Sequence, residues 1–237
     1  MLEDLLDLIF PPRCAGCDRP GSLLCAECAR AVVRIDPARA CTRCGAPVAG
    51  PSASCTECGD REFAFASARC AALLEPPVSR AVVLLKDGGE RRYAKTAAAL
   101  LAEAATGWLA PDDLLVPAPA SPAAVRRRGF DHAADVARAL GAITGNPVGR
   151  LLVATGGADQ RALTREERFA NRAGAFALAS RGAAAARGAA PSARVVLVDD
   201  VFTTGATLDA AARVLRGAGA SQVRALAVAR SVRSPHG

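Results

Sequence analysis

Eight of the nine cysteines fall in four C-x-x-C pairs: Cys14/Cys17, Cys25/Cys28, Cys41/Cys44 and Cys55/Cys58. Each pair reverses the chain tightly enough to aim two thiolates at one ion. Two such pairs complete a tetrahedral four-cysteine zinc site, so four pairs predict two zinc ions. The intervening lengths favour sequential pairing, with Cys14, Cys17, Cys25 and Cys28 on one ion and Cys41, Cys44, Cys55 and Cys58 on the other. Interleaved pairing is the alternative. Four protein thiolates leave no open position for a catalytic water, so both sites are expected to be structural. Residues 11–62 hold too few large apolar side chains to fold without such a staple, and metal binding would supply the folding energy. The ninth cysteine, Cys70, lies in the strand-like run FAFASARCAALLE (63–75) and is expected to be a small buried residue without a further role.

A second constellation is VVLVDDVFTTGAT, residues 195–207. Four apolar residues run into Asp199 and Asp200, and a turn of small residues leads toward a helix that starts near Gly205. The free N–H groups and positive end of such a helix form an anion site. Gly205 permits close approach of a phosphate, and the hydroxyls of Thr203, Thr204 and Thr207 can donate to it. The acidic pair would repel a phosphate but could accept hydrogen bonds from two adjacent sugar hydroxyls. One loop can therefore hold a ribose 5-phosphate at both ends. VVLVDD read as a Walker B strand would need a phosphate loop GxxxxGK[ST]. The nearest match, GERRYAKT (89–96), has Ala94 in place of the second glycine. A receiver domain would carry its aspartates near the start of the domain, not near the end of the chain.

The elements that must position these groups follow from the apolar pattern. AVVLLK (81–86), LLVPAPA (114–120), RLLVA (150–154), VVLVDD (195–200) and VRALAVAR (223–230) read as strands. Helical runs are expected from about residue 92 to 109, 130 to 143 and 205 to 218. Strand–helix alternation with nearly continuous apolar strands implies an α/β fold with a parallel sheet flanked by helices. Ligands of such sheets bind beyond the carboxyl ends of the strands, so the loops after residues 86, 119, 154 and 200 are expected to share one rim. A Cys-rich region over residues 1–75 and an α/β domain over residues 76–237 are the expected division. SRGAAAARGAAPSA (180–193) is low in complexity and expected to be an exposed connection.

The charge is unevenly placed. Of 30 Lys+Arg and 23 Asp+Glu, residues 1–75 hold eight basic and ten acidic side chains, so the whole excess of +7 arises beyond them. A basic surface suits anionic partners, either phosphorylated metabolites or nucleic acid. No run of eighteen apolar residues exists, which excludes a membrane-spanning helix. MLEDLLDLIFPP at the N-terminus is acidic and its apolar stretch is short, unlike a signal peptide. It reads as a short amphipathic helix, and a cytoplasmic location is expected.

The string 195–207 resembles the phosphoribosyl pyrophosphate (PRPP) motif of type I phosphoribosyltransferases. By that resemblance Asp199 and Asp200 bind ribose hydroxyls, and Thr203, Thr204, Gly205, Ala206 and Thr207 cradle the 5-phosphate. VPAPASPAAVRRRGFDHAADVARAL (116–140), TGGADQRALTREERFANRAGAF (155–176) and LLKDGGERRYAK (84–95) resemble three blocks of the ComF family of competence proteins, also called amidophosphoribosyltransferase-like. The front cysteines match that family's double zinc ribbon. The chain departs from the family at Asp131–His132, where Asn-Gln is usual. The resemblance implies a type I phosphoribosyltransferase fold behind a double zinc ribbon. It further implies a link to DNA uptake, with single-stranded DNA and a DNA-uptake helicase as partners.

Phosphoribosyl transfer passes through an oxocarbenium-like transition state and expels a highly charged pyrophosphate. It needs preorganised positive charge, normally with Mg2+. The candidates are Arg126, Arg127, Arg128 and Gly129, on the loop after a strand at the shared rim, with Lys86 at the end of another strand. Arg161, Arg165, Arg168 and Arg172 would form one basic face if their segment is helical, free to close over pyrophosphate or to contact nucleic-acid phosphates. No clear residues for recognising a nucleobase acceptor are present. Three functions therefore stay open: a ComF-type ribose-phosphate-binding protein acting in DNA uptake, an active phosphoribosyltransferase of nucleotide salvage, and a zinc-ribbon interaction module with a vestigial transferase domain.

Overall fold

The computed structural model describes residues 11–48, 55–155, 174–180 and 194–232. The expected N-terminal helix, the arginine stripe of residues 161–172 and all but the first residue of the connection 180–193 lie outside the described residues.

Four strands form a parallel sheet in the order β1-β6-β5-β2: β1 (Ala68–Leu73), β2 (Leu114–Pro117), β5 (Arg194–Phe202) and β6 (Gln222–Arg230). Their carboxyl ends share one rim; of the four loops expected there, those after residues 119 and 200 follow strands of this sheet, whereas residue 86 ends a helix and residue 154 ends a strand of a separate sheet. β5 is central and buried on both faces. Val196 and Val198 pack into one core, and Val195 and Leu197 into the other. The first core is covered by α2 (Val78–Lys86), α3 (Tyr93–Ala104) and α5 (His132–Thr144). The second is covered by α6 (Ala206–Gly217) and by the second cysteine group. A short helix, α1 (Ala26–Arg30), lies in the cysteine region, and α4 (Pro122–Arg128) follows β2.

Two strand expectations are corrected. AVVLLK is helix, not strand: Val78, Val82 and Leu85 are buried at i, i+4 and i+7 while Val83 is 55% exposed. A short apolar run cannot distinguish the two by itself, and only the buried face settles the period. The strand in RLLVA, β3 (Leu152–Ala154), does not join the parallel sheet. It pairs antiparallel with β4 (Phe176–Leu178) in a separate two-stranded sheet. The parallel sheet also draws its first strand from residues 68–73, ahead of the expected division at 75/76.

The cysteine region wraps the β1 edge. Between the two cysteine groups the chain runs antiparallel to β1: Ile35 N donates to Ala71 O at 3.0 Å, and Leu73 N donates to Val33 O at 2.9 Å. That segment covers an edge that would otherwise expose unpaired backbone groups. It also sends the first cysteine group to the α2–α3 side, where Ala15 and Val32 join that core, and the second group to the α6 side.

Candidate functional site

The two cysteine groups are preformed. The ligand atoms of Cys14, Cys17, Cys25 and Cys28 lie within 4.8 Å of one another, as do those of Cys41, Cys44, Cys55 and Cys58. Sequential pairing is therefore correct. Sulfur pairs stand 3.8 Å apart for Cys17–Cys25 and Cys41–Cys58, and 3.5 Å apart for Cys44–Cys55. Tetrahedral coordination with Zn–S near ~2.3 Å needs about 3.8 Å between sulfurs, so both groups fit zinc. Three of the C-x-x-C turns end in a residue in the left-handed region, Asp18, Gly45 or Gly59. Each of these donates its N–H back to the first cysteine of its pair, at 2.7–2.9 Å. The fourth pair instead opens α1, with Cys25 as the N-cap. Cys70 is a buried core residue beneath Gly45: a Cβ on that glycine would stand 2.8 Å from the Cys70 sulfur.

At the rim of the sheet, Asp199 and Asp200 lie near the end of β5 with exposures of 7% and 3%. Lys86 Nζ lies 2.9 Å from Asp200 Oδ2, and His132 Nε2 lies 3.3 Å from the same oxygen. Val82, Leu85, Tyr93 and Val228 share a gap of about 10 Å3 with Asp200 and form its apolar wall. Burial opposes ionisation of Asp200, but His132 and Lys86 outweigh it and hold the carboxyl below its usual range. Burial also acts on Asp199, and the neighbouring Asp200 charge adds to it, so this carboxyl is pushed up to about 7. Burial penalises the Lys86 ammonium, yet Asp200 and Asp199 raise its pKa overall.

Lys86 thus reaches the rim from the last residue of a helix, not from a strand end. The arginine triplet is likewise in the last turn of α4 and not on a loop. Ser121 caps that helix by accepting from Ala124 N at 3.2 Å, and Gly129 ends it at φ 81°. The structure brings Arg128 to the cluster: Nη2 is 2.9 Å from Asp87 Oδ1, and Nη1 is 3.5 Å from His132 Nδ1. Arg126 and Arg127 are exposed and have no ion-pair partner among the described residues.

Asp131 and His132 have defined places. Asp131 caps α5 by accepting from Ala134 N at 3.3 Å, and His132 opens the helix as a buried partner of Asp200. Sequence reasoning gave His132 no role; its signal was a polar residue directly after a capping aspartate.

Beyond the acidic pair, Gly205 adopts φ 82° and starts α6 without any side-chain cap. Thr204 Oγ1 accepts from Ala206 N at 3.3 Å. Thr203 is exposed, and Thr204 and Thr207 are half-buried. The first turn of a twelve-residue helix therefore faces the rim beside three hydroxyls, an arrangement suited to an anion. A Cβ at Gly205 would lie 2.7 Å from the Phe202 ring and 2.9 Å from Phe63, so glycine is required by space as well as by φ.

Residues 5–76 match the family model of the double zinc ribbon domain, and residues 123–235 match that of the phosphoribosyl transferase domain. The chain joins a double zinc ribbon to a phosphoribosyltransferase domain. The second match spans α4 to β6 and includes the acidic pair and the turn into α6. No curated protein matches the chain. Among solved structures, glutamine phosphoribosylpyrophosphate amidotransferase from B. subtilis, complexed with ADP and GMP, aligns at 18% identity and a TM-score of 0.40. That alignment covers 62% of this chain and 30% of its own. An allosteric regulatory enzyme of purine biosynthesis aligns at 20% identity and 0.36, covering 56% of this chain and 25% of its own. A hypoxanthine phosphoribosyl transferase of Trypanosoma cruzi aligns at 16% identity and 0.34, covering 64% and 71%. The chain thus spans less than a third of the first two proteins.

Proposed function

We propose that the rim of the parallel sheet binds PRPP or a related ribose 5-phosphate. The observation that carries this reading is the placement of Asp199 and Asp200 near the end of β5, which leads through Thr203 and Thr204 into the helix that starts at Gly205. In this reading the two carboxylates accept from adjacent ribose hydroxyls. The Thr203–Thr207 turn and the first N–H groups of α6 hold the 5-phosphate. Lys86 and Arg128 supply positive charge to a pyrophosphate on the ribose C1 in the same reading, with Gly129 beside Arg128. Arg126 and Arg127 add charge at the surface. Mg2+ fits this site as a companion of the ligand, since it keeps water and substrate phosphates and takes only one or two carboxylates. Asp199 and Asp200 are the oxygen donors on offer.

The blocks shared with ComF proteins support a role in DNA uptake or in handling single-stranded DNA within the cytoplasm, and the excess of +7 suits an anionic partner. Phe130 does not serve as a stacking platform, because it is buried beneath Arg91. An active phosphoribosyltransferase is the second reading, favoured by Lys86 and His132 meeting on Asp200, with Arg128 beside His132. Pyrophosphate release from PRPP with a panel of bases distinguishes them. Base-dependent release makes the chain an enzyme. Binding without release, together with salt-sensitive binding of single-stranded DNA, supports the first reading.

A further inference from the structure

Arg230, the last residue of β6, is the largest fully buried side chain among the described residues, 1% exposed. Its guanidinium spends its donors in two directions. Nη1 donates to Phe202 O at 3.2 Å, to Thr203 O at 2.9 Å and to Ser231 O. Nε donates to Cys44 O at 3.1 Å, while Nη2 stands 3.8 Å from Cys44 Sγ and 3.6 Å from Glu57 Oε2. The plane lies over the Phe202 ring, 4.8 Å from its centroid. Cys44 is a ligand of the second zinc group, and Glu57 sits between two more of its ligands. Phe202 and Thr203 are the residues through which β5 enters the turn to α6. One rigid, permanently charged fork therefore spans the zinc centre and the start of the loop.

The surroundings reinforce the link. Phe63 and Phe65, just beyond Cys58, stack on each other at 4.6 Å and meet Phe202 edge-on. Ala64 N donates to Asp209 Oδ1 at 2.7 Å, in the first turn of α6. The first zinc group makes no comparable contact among the described residues; it packs on α2 and α3, where Tyr93 donates to Arg13 O at 2.6 Å. A four-thiolate zinc centre carries net negative charge, so a cation beside Cys44 is favoured while the metal is bound. Loss of the metal removes the fixed end of the fork.

We propose that Arg230 is a positioning residue that ties the 202–207 loop to the second zinc centre, so that losing either that zinc or the guanidinium loosens the loop. The consequence for ligand affinity rests on the ribose-phosphate reading; the coupling itself does not. The experiment is hydrogen exchange of the full chain, following peptides that cover residues 202–207, in three variants of measured zinc content. Arg230→Lys removes the fork and keeps the charge, Cys55→Ser removes the second zinc, and Cys17→Ser removes the first. Loop exchange is expected to quicken about tenfold in the first two and to stay as in the wild type in the third, with α5 peptides unchanged throughout. Unchanged loop exchange in Arg230→Lys and in a one-zinc Cys55→Ser overturns the proposal, as does equal loosening by Cys17→Ser. If a variant fails to fold, stepwise chelation of the wild type replaces it, and loop exchange must then rise with loss of one of the two ions. Loosening on this pattern supports the coupling whether or not the wild type binds PRPP, and failure of PRPP to bind counts against the ribose-phosphate reading alone.

Discussion

Lys86 Nζ and Asp200 Oδ2 meet at 2.9 Å across the rim, joining the end of α2 to the end of β5. The contact holds one carboxylate charged in a buried setting and leaves its neighbour, Asp199, to absorb the repulsion. Removing Lys86 leaves Asp200 with His132 alone. Because Lys86 is about a third exposed, Lys86→Met is expected to destabilise the chain by roughly 1–3 kcal/mol, less than a fully buried pair would lose. Urea denaturation measures it.

Asp199 gives a signed pH dependence. Its carboxyl is pushed up to about 7 from an ordinary value near 3.8, so folding favours the protonated form. That contribution is fully present below about pH 4 and is lost as pH rises through 7. Asp200, held below its usual range, stays ionised across this window. Asp199→Asn should therefore gain stability over the wild type as pH is raised from 5 to 8. A thermal-midpoint difference that is flat with pH would show that Asp199 ionises without cost.

Gly205→Ala should be costly. The new methyl would meet both Phe202 and Phe63, and φ 82° strains any L side chain. A loss of about 1–3 kcal/mol is expected, with weaker ribose-phosphate binding, as read by denaturation and calorimetry.

Metal analysis should find two zinc ions per chain. Because residues 33–35 pair with β1 and the second cysteine group covers one sheet face, chelation should lower the thermal midpoint of the whole chain. Chelation that leaves the α/β domain's midpoint unchanged would show that the two halves fold separately.

The parts legible in the sequence were those whose chemistry is local. A C-x-x-C turn needs only its own residues, and VVLVDDVFTTGAT carries both a strand and the left-handed glycine that starts the next helix. The parts missed depend on tertiary partners. AVVLLK has the composition of a strand, and its helical period shows only once Val83 is seen facing outward. His132 acquires meaning only when the start of α5 lies against the end of β5. Arg230 reads as the polar terminus of an apolar strand. Nothing local says that it is buried, because its partners, Cys44 and Thr203, come from opposite ends of the chain.

The most direct test is calorimetric titration with PRPP and Mg2+ of the wild type and of the Asp199→Asn, Asp200→Asn double variant. Saturable binding by the wild type is expected, and its loss in a variant that keeps two zinc ions and a cooperative thermal transition. No binding by the wild type, or unchanged affinity in the folded variant, would contradict the ribose-phosphate reading.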